Sequence, residues 1–112
     1  MTTPDAKITF SMEKEQGLMN IRIEGSFNYT CRDSFIEGYA DLKHDIQTCY
    51  IDLSGTDIMD SSALGLLLTL KSDNHFKDAK LVLDVKDNET ISSIIKMHNF
   101  HKLFEFYSDD DN

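Results

Sequence analysis

The stretch Tyr50-Ile51-Asp52-Leu53-Ser54-Gly55-Thr56-Asp57-Ile58-Met59-Asp60-Ser61-Ser62-Ala63-Leu64-Gly65-Leu66-Leu67-Leu68 decides how the chain is organised. Cys49 to Leu53 is an apolar run rich in β-formers and reads as a buried strand, ended by a Ser-Gly-Thr-Asp turn cluster. Asp60, Ser61 and Ser62 then offer capping oxygens immediately before a Leu-rich segment, which is how a helix opens. A hydroxyl therefore stands at the first turn of a helix, at the carboxyl end of a central strand. In open α/β sheets that edge is where sites form.

Working outward, Ile8, Phe10 and Met12 alternate with polar residues, as do Met19, Ile21 and Ile23, with a turn at Glu15-Gln16-Gly17 between them. Two half-buried strands forming a hairpin or lying as close neighbours are expected. Gly25 ends the second strand, and Ser26-Phe27-Asn28-Tyr29-Thr30 is a loop whose Thr30 can cap the next helix. Phe35, Tyr39 and Leu42, with Ile36 and Ala40 beside them, give that helix one buried face. Strand, helix and central strand thus form a βαβ unit.

Beyond the Leu-rich helix, Asp73 to Asp78 is polar and Lys80 to Val85 is a fourth strand. Asn88 or Asp87 can cap a helix with Ile91, Ile94, Ile95 and His98 on one side. Leu103 to Tyr107 is a fifth strand. The expectation is a single α/β domain spanning 1–112, with flexible ends at 1–6 and 108–112.

A chain of 112 residues buries roughly two-thirds of its unfolded surface. A net charge of -9 argues against nucleic acid or an anionic membrane as the main partner and favours one that is locally basic. No run is long or apolar enough to span a bilayer, and no signal peptide precedes the first strand. Cys31 and Cys49 lack CxxC spacing, so neither a disulfide framework nor a zinc site is expected. The simplest reading is a reduced cytosolic protein.

Stepping 100° per residue from Ser61, residues Ala63, Leu66, Leu67 and Leu70 gather on one face, an ordinary core stripe. Ser61 lies with Gly65, Leu68 and Ser72 on the other, flanked by Leu64 and Lys71. Either a neighbouring element covers these leucines, or they form a docking surface on which Gly65 admits close approach. Ser61 also has two readings. It is a helix cap, or Asp60 caps and leaves the hydroxyl free for phosphate.

The runs Ile51-Asp52-Leu53-Ser54 and Met59-Asp60-Ser61-Ser62-Ala63-Leu64-Gly65-Leu66-Leu67 resemble the signature of STAS domains, the bacterial anti-sigma factor antagonists. Glu24-Gly25-Ser26-Phe27 is similar to the family's glycine-containing turn, and the order of elements matches over nearly the whole chain. The resemblance implies a mixed five-stranded sheet with helices packed on it, and a C-terminal helix reduced or absent. It implies phosphorylation at Ser61, with Ser62 as second candidate. A serine kinase with a histidine-kinase-like ATPase fold, itself an anti-sigma factor, would bind and modify the protein, and a PP2C-type phosphatase would reverse the modification. The partner surface would comprise Asn28, Tyr29, Thr30, Asp57, Met59, Asp60, Ser61, Leu64, Gly65, Leu68 and Ser72. Ala63 stands where glycine is commoner, and Asn28 where many antagonists carry an acid.

Two other classes compete. Asp52, Asp57 and Asp60 would be the acids of an enzyme, but His44, His75, His98 and His101 show no metal spacing with them. His98 and His101, three apart at a helix end, read as surface or capping residues. Neither a Walker A loop, a Gly-rich dinucleotide turn nor a Gly-x-Ser-x-Gly elbow is present. No catalytic residue, metal or cofactor is therefore expected. The remaining alternative is a constitutive docking subunit of a lipid-transport ATP-binding cassette complex, in which Ser61 is only a cap.

Overall fold

The computed structural model of the protein describes residues 3–42 and 45–108. Strands β1 (Ala6–Glu13) and β2 (Leu18–Phe27) form the expected hairpin, pairing antiparallel with Ile8 opposite Ile23 and Phe10 opposite Ile21. Helix α1 (Arg32–Ala40) leads to β3 (Thr48–Asp52), and a short β4 (Thr56–Met59) runs into α2 (Ser61–Ser72). β5 (Lys80–Lys86), α3 (Glu89–Met97) and β6 (Glu105–Ser108) complete the described chain. β2, β3, β5 and β6 are parallel neighbours in the order β1-β2-β3-β5-β6.

That order explains the layering. Each crossover steps one strand further in the same direction, and right-handed crossovers that never reverse put every helix on one face. Extents of 39 × 35 × 20 Å fit two layers, a sheet and its helices. The covered face carries Met19, Ile21 and Ile23 of β2, Cys49 and Ile51 of β3, and Leu81, Leu83 and Val85 of β5, all buried. α2 sets Ala63, Leu64, Leu66, Leu67 and Leu70 against it, each leucine contributing about 1.5–3 kcal/mol on burial. Under α1, the rings of Phe27, Phe35, Tyr39 and Phe76 form a ladder with centroids 5.4–5.7 Å apart. Gly38 lets α1 lie directly on β1, since a Cβ there would collide with the Phe10 ring.

The structure departs from the sequence reading at several places. The turn cluster after Leu53 is a kink rather than an end. Thr56 to Met59 continue along β2 as a sixth strand, pairing with Gly25 to Phe27. β2 correspondingly runs past Gly25, whose φ of 110° and close approach to the Asp5 carbonyl exclude a side chain. Ser26 and Phe27 are therefore strand residues, not loop. Asn28, not Thr30, caps the turn leading into α1 by accepting from the Thr30 N–H (3.0 Å). Ala40 faces solvent and Leu42 lies half-buried beyond the end of α1, so the buried stripe of that helix is Phe35 and Tyr39. His98 is exposed at the end of α3, and Leu103 is exposed ahead of β6. Asp5 and Ala6 are tied into the fold, Ala6 buried in β1 and the Asp5 carbonyl accepting from Ser26 N, and Ser108 ends β6 buried. No helix follows β6 among the described residues. The acidic run at 109–112 and His44 lie outside them.

Candidate functional site

Asp60 settles which residue caps α2. Its backbone is extended (φ -104°, ψ -176°) and its Oδ1 accepts from Ala63 N (3.0 Å) and from the Ser62 hydroxyl (2.7 Å). Partial burial pushes this carboxyl up, but the bonds from Ser62 and from the Ala63 backbone outweigh it and hold the group below the usual carboxylate range. Ser62 is thereby occupied. Ser61, the first helical residue, is exposed, and its hydroxyl has no hydrogen-bond partner among the described residues.

The kink places this terminus. Asn88 caps α3 by accepting from Ile91 N. With its Nδ2 it also reaches the carbonyls of Leu53 (3.1 Å), Ser54 (3.3 Å) and Thr56 (2.7 Å) across the break between β3 and β4, where the Leu53 carbonyl also accepts from Thr56 N (3.1 Å). The Thr56 hydroxyl, itself buried, donates to the Ile23 carbonyl (2.7 Å). β4 is thus braced from both sides. Its register sets Met59 opposite Phe27, so the residues after β2 emerge beside the start of α2.

Part of the expected surface is exposed. Tyr29 is 70% exposed, Leu68 is 42% exposed, and Asp57, Asp60, Gly65 and Ser72 face solvent. A Cβ on Gly65 would meet nothing within 4 Å, so no neighbour within the chain requires that glycine. Ser72, eleven residues along α2, stands about 16 Å from Ser61 and turns its hydroxyl back to the Thr69 carbonyl. Asn28 and Thr30 are half-buried and spend their side chains holding the amino-terminal segment: Asn28 Nδ2 donates to the Asp5 carboxylate (3.0 Å), and Thr30 Oγ1 accepts from Asp5 N (2.9 Å).

Two expected contact residues lie elsewhere. Met59 (4% exposed) and Leu64 (6%) belong to the core, so neither presents a side chain to a partner. The wheel set Leu64 at the flank of the outward face, but the side chain turns inward and joins the core. Ile58, to which the sequence analysis assigned no role, is 59% exposed just ahead of Asp60 and adds an apolar group. No periodic signal marks it, because β4 breaks alternation: Asp57 and Ile58 are both exposed between buried Thr56 and Met59.

Asp52 does not join Asp57 and Asp60. It accepts from the Ser54 backbone and hydroxyl (2.9 and 2.6 Å) and pairs with Lys86 Nζ at 3.6 Å, which also reaches buried Asp84 at 3.3 Å. Burial pushes the Asp52 carboxyl up, but the Ser54 bonds and the charges of Lys86 and Arg22 bring it below its ordinary value. The arrangement at α2 is a hydroxyl and a few apolar side chains on an exposed surface, suited to binding a protein and to accepting a group.

A family model described as the STAS domain matches residues 9–111. A STAS-domain containing protein of Pseudomonas aeruginosa is 28% identical over 87 residues, covering 78% of this chain and 85% of its own. Among solved structures, the chain is similar to an anti-sigma factor antagonist from Mycobacterium paratuberculosis, with TM-score 0.68 and 20% identity over 96% of this chain and 90% of that one. It is also similar to a sulfate transporter family protein from Wolinella succinogenes, with TM-score 0.65 and 13% identity over 84% and 80% of the two chains. At such identities the structural likeness is one of fold.

Proposed function

The chain belongs to the STAS domain family, and on that premise we propose that it is a partner-switching regulator of the anti-sigma factor antagonist type. Unphosphorylated, it binds an anti-sigma serine kinase with a histidine-kinase-like ATPase fold through the exposed surface at the start of α2. Phosphorylation of Ser61 releases that partner, and a PP2C-type phosphatase restores binding. The protein acts in the cytoplasm, as a binding module rather than an enzyme.

One observation carries the reading: Asp60 supplies the helix cap, so the Ser61 hydroxyl is exposed and unengaged at the first residue of α2. A phosphate there meets the positive end of the helix dipole, which lets the fold tolerate it. Toward a partner, the same group adds about -1.5 to -2 charges beside exposed Asp57 and Asp60. Each tenfold loss of affinity needs only ~1.4 kcal/mol of repulsion and desolvation.

Phosphate mapping by mass spectrometry on the protein from growing and stressed cells tests the site. Phosphate on Ser61, its occupancy varying with condition, is the expected result. A Ser61 that is never modified, in a protein held permanently by transporter subunits, would favour the constitutive dock instead.

A further inference from the structure

The opposite end of α2 carries a histidine whose surroundings ask for a proton. Asp73 follows the last residue of α2 and opens a 3-10 turn at Asn74–Phe76. Within that turn, His75 Nδ1 lies 2.7 Å from Asp73 Oδ1, and its Nε2 lies 2.9 Å from the Leu42 carbonyl oxygen. Both partners are acceptors. Neutral imidazole has a single N–H, so in either tautomer one of these contacts would set lone pair against lone pair. The imidazolium donates to both.

The wider setting has the same sign. Leu42 lies two residues beyond the end of α1 and Asp73 just beyond α2, so His75 sits where the negative dipole ends of two helices converge. From the segment entering β3, Asp45 faces the same cleft; from beyond the turn come Lys77 and Asp78. Tyr39 of α1 completes the surroundings, its buried hydroxyl raised in pKa by burial and then by the Asp73 charge. Asp41 is exposed at the end of α1, and residues 43 and 44 are outside the described chain. The Asp73 hydrogen bond is the main influence on His75. Burial opposes it, but the Leu42 carbonyl and the charges of Asp73 and Asp45 add to it and hold the ring above its ordinary value.

We infer that His75 is a proton-operated tie between the ends of α1 and α2: the imidazolium joins the Leu42 carbonyl to Asp73, and loss of its proton gives up one of these two bonds. The tie does not depend on any role for Ser61. The folded state holds this proton more tightly than the unfolded chain. Its stabilisation is therefore complete below the unfolded histidine value of about 6.5, and is lost as pH rises through the higher folded value.

The test follows the His75 ring resonances by NMR between pH 5 and 9, with the protection factor of the Leu42 amide, which donates to Tyr39 O at 3.3 Å, measured across the same range. His75 is expected to titrate above about 6.5, and Leu42 protection to fall through the same midpoint. Asp73→Asn keeps an oxygen to accept from His75 N and removes the charge, so it should lower the midpoint without unfolding the turn. In His75→Gln, Leu42 protection should no longer vary with pH. A midpoint at or below about 6.5 overturns the inference, as does one indifferent to Asp73→Asn. Leu42 protection that stays flat while His75 titrates overturns it equally, because the proton would then hold nothing.

Discussion

At the start of α2, Asp60 takes the Ala63 N–H and the Ser62 hydroxyl, which leaves Ser61 free of any duty in the helix. Ser61→Ala should therefore unfold within about 0.5 kcal/mol of the parent in chemical denaturation, as for an exposed residue without a structural partner. Asp60→Ala should cost about 1 kcal/mol, the usual worth of an N-cap. The pH dependence has a definite sign. The folded Asp60 carboxyl is held below its ordinary value, so its cap contributes fully above the unfolded carboxylate range and fades as pH falls through the folded value. A gap between the two proteins that stays constant into acid would contradict the capping assignment. The sequence placed three candidate oxygens here but did not rank them, because capping depends on backbone angles that the Asp-Ser-Ser run alone does not determine.

For the elements, the β3–β4 kink governs where α2 begins, and Asn88 holds the kink through three carbonyls. Asn88→Asp retains the oxygen that caps α3 but faces those carbonyls with an acceptor, whereas Asn88→Ala loses both functions. Each should lower stability by about 1–3 kcal/mol, the cost of taking its donor from a buried carbonyl, that of Thr56 above all. Asn88→Asp should regain part of its loss in mild acid, where a protonated carboxyl can donate again. If Asn88→Asp matches the parent by thermal denaturation, the cap alone explains this residue. On the outer face of α2, Leu68→Glu should leave circular dichroism and stability near the parent while weakening partner binding; unfolding would mean that Leu68 is core. Helical spacing foretold that Leu68 and Gly65 face out and that Leu66, Leu67 and Leu70 face in, since those positions lie well inside one face or the other. It put Leu64 at the flank of the outward face, whereas the structure buries it, because a residue at the edge of the stripe is decided by neighbours remote in sequence. β4 was hidden for a related reason. Its four residues follow a Ser-Gly turn signal, and only pairing with the end of β2 makes them a strand.

Across the whole molecule, the alternating apolar residues of β1 and β2 and the apolar runs of β3 and β5 made the sheet legible, because burial on one face fixes their register. Long-range polar contacts were not legible. The bonds from Asn28 and Thr30 to Asp5, from Asn88 to the kink and from His75 to Leu42 join residues 23 to 35 positions apart, and no local pattern encodes them. The two-layer domain presents α2 with one terminus exposed, and the proposed function turns on a single hydroxyl there. The most direct measurement is therefore a comparison of Ser61→Ala and Ser61→Asp as baits in the native host, with captured proteins identified by mass spectrometry. The account predicts a serine kinase with a histidine-kinase-like ATPase fold enriched on the alanine form and lost from the aspartate form. Equal capture of the same partner by both would contradict it, and would make the start of α2 a permanent dock with Ser61 no part of a switch.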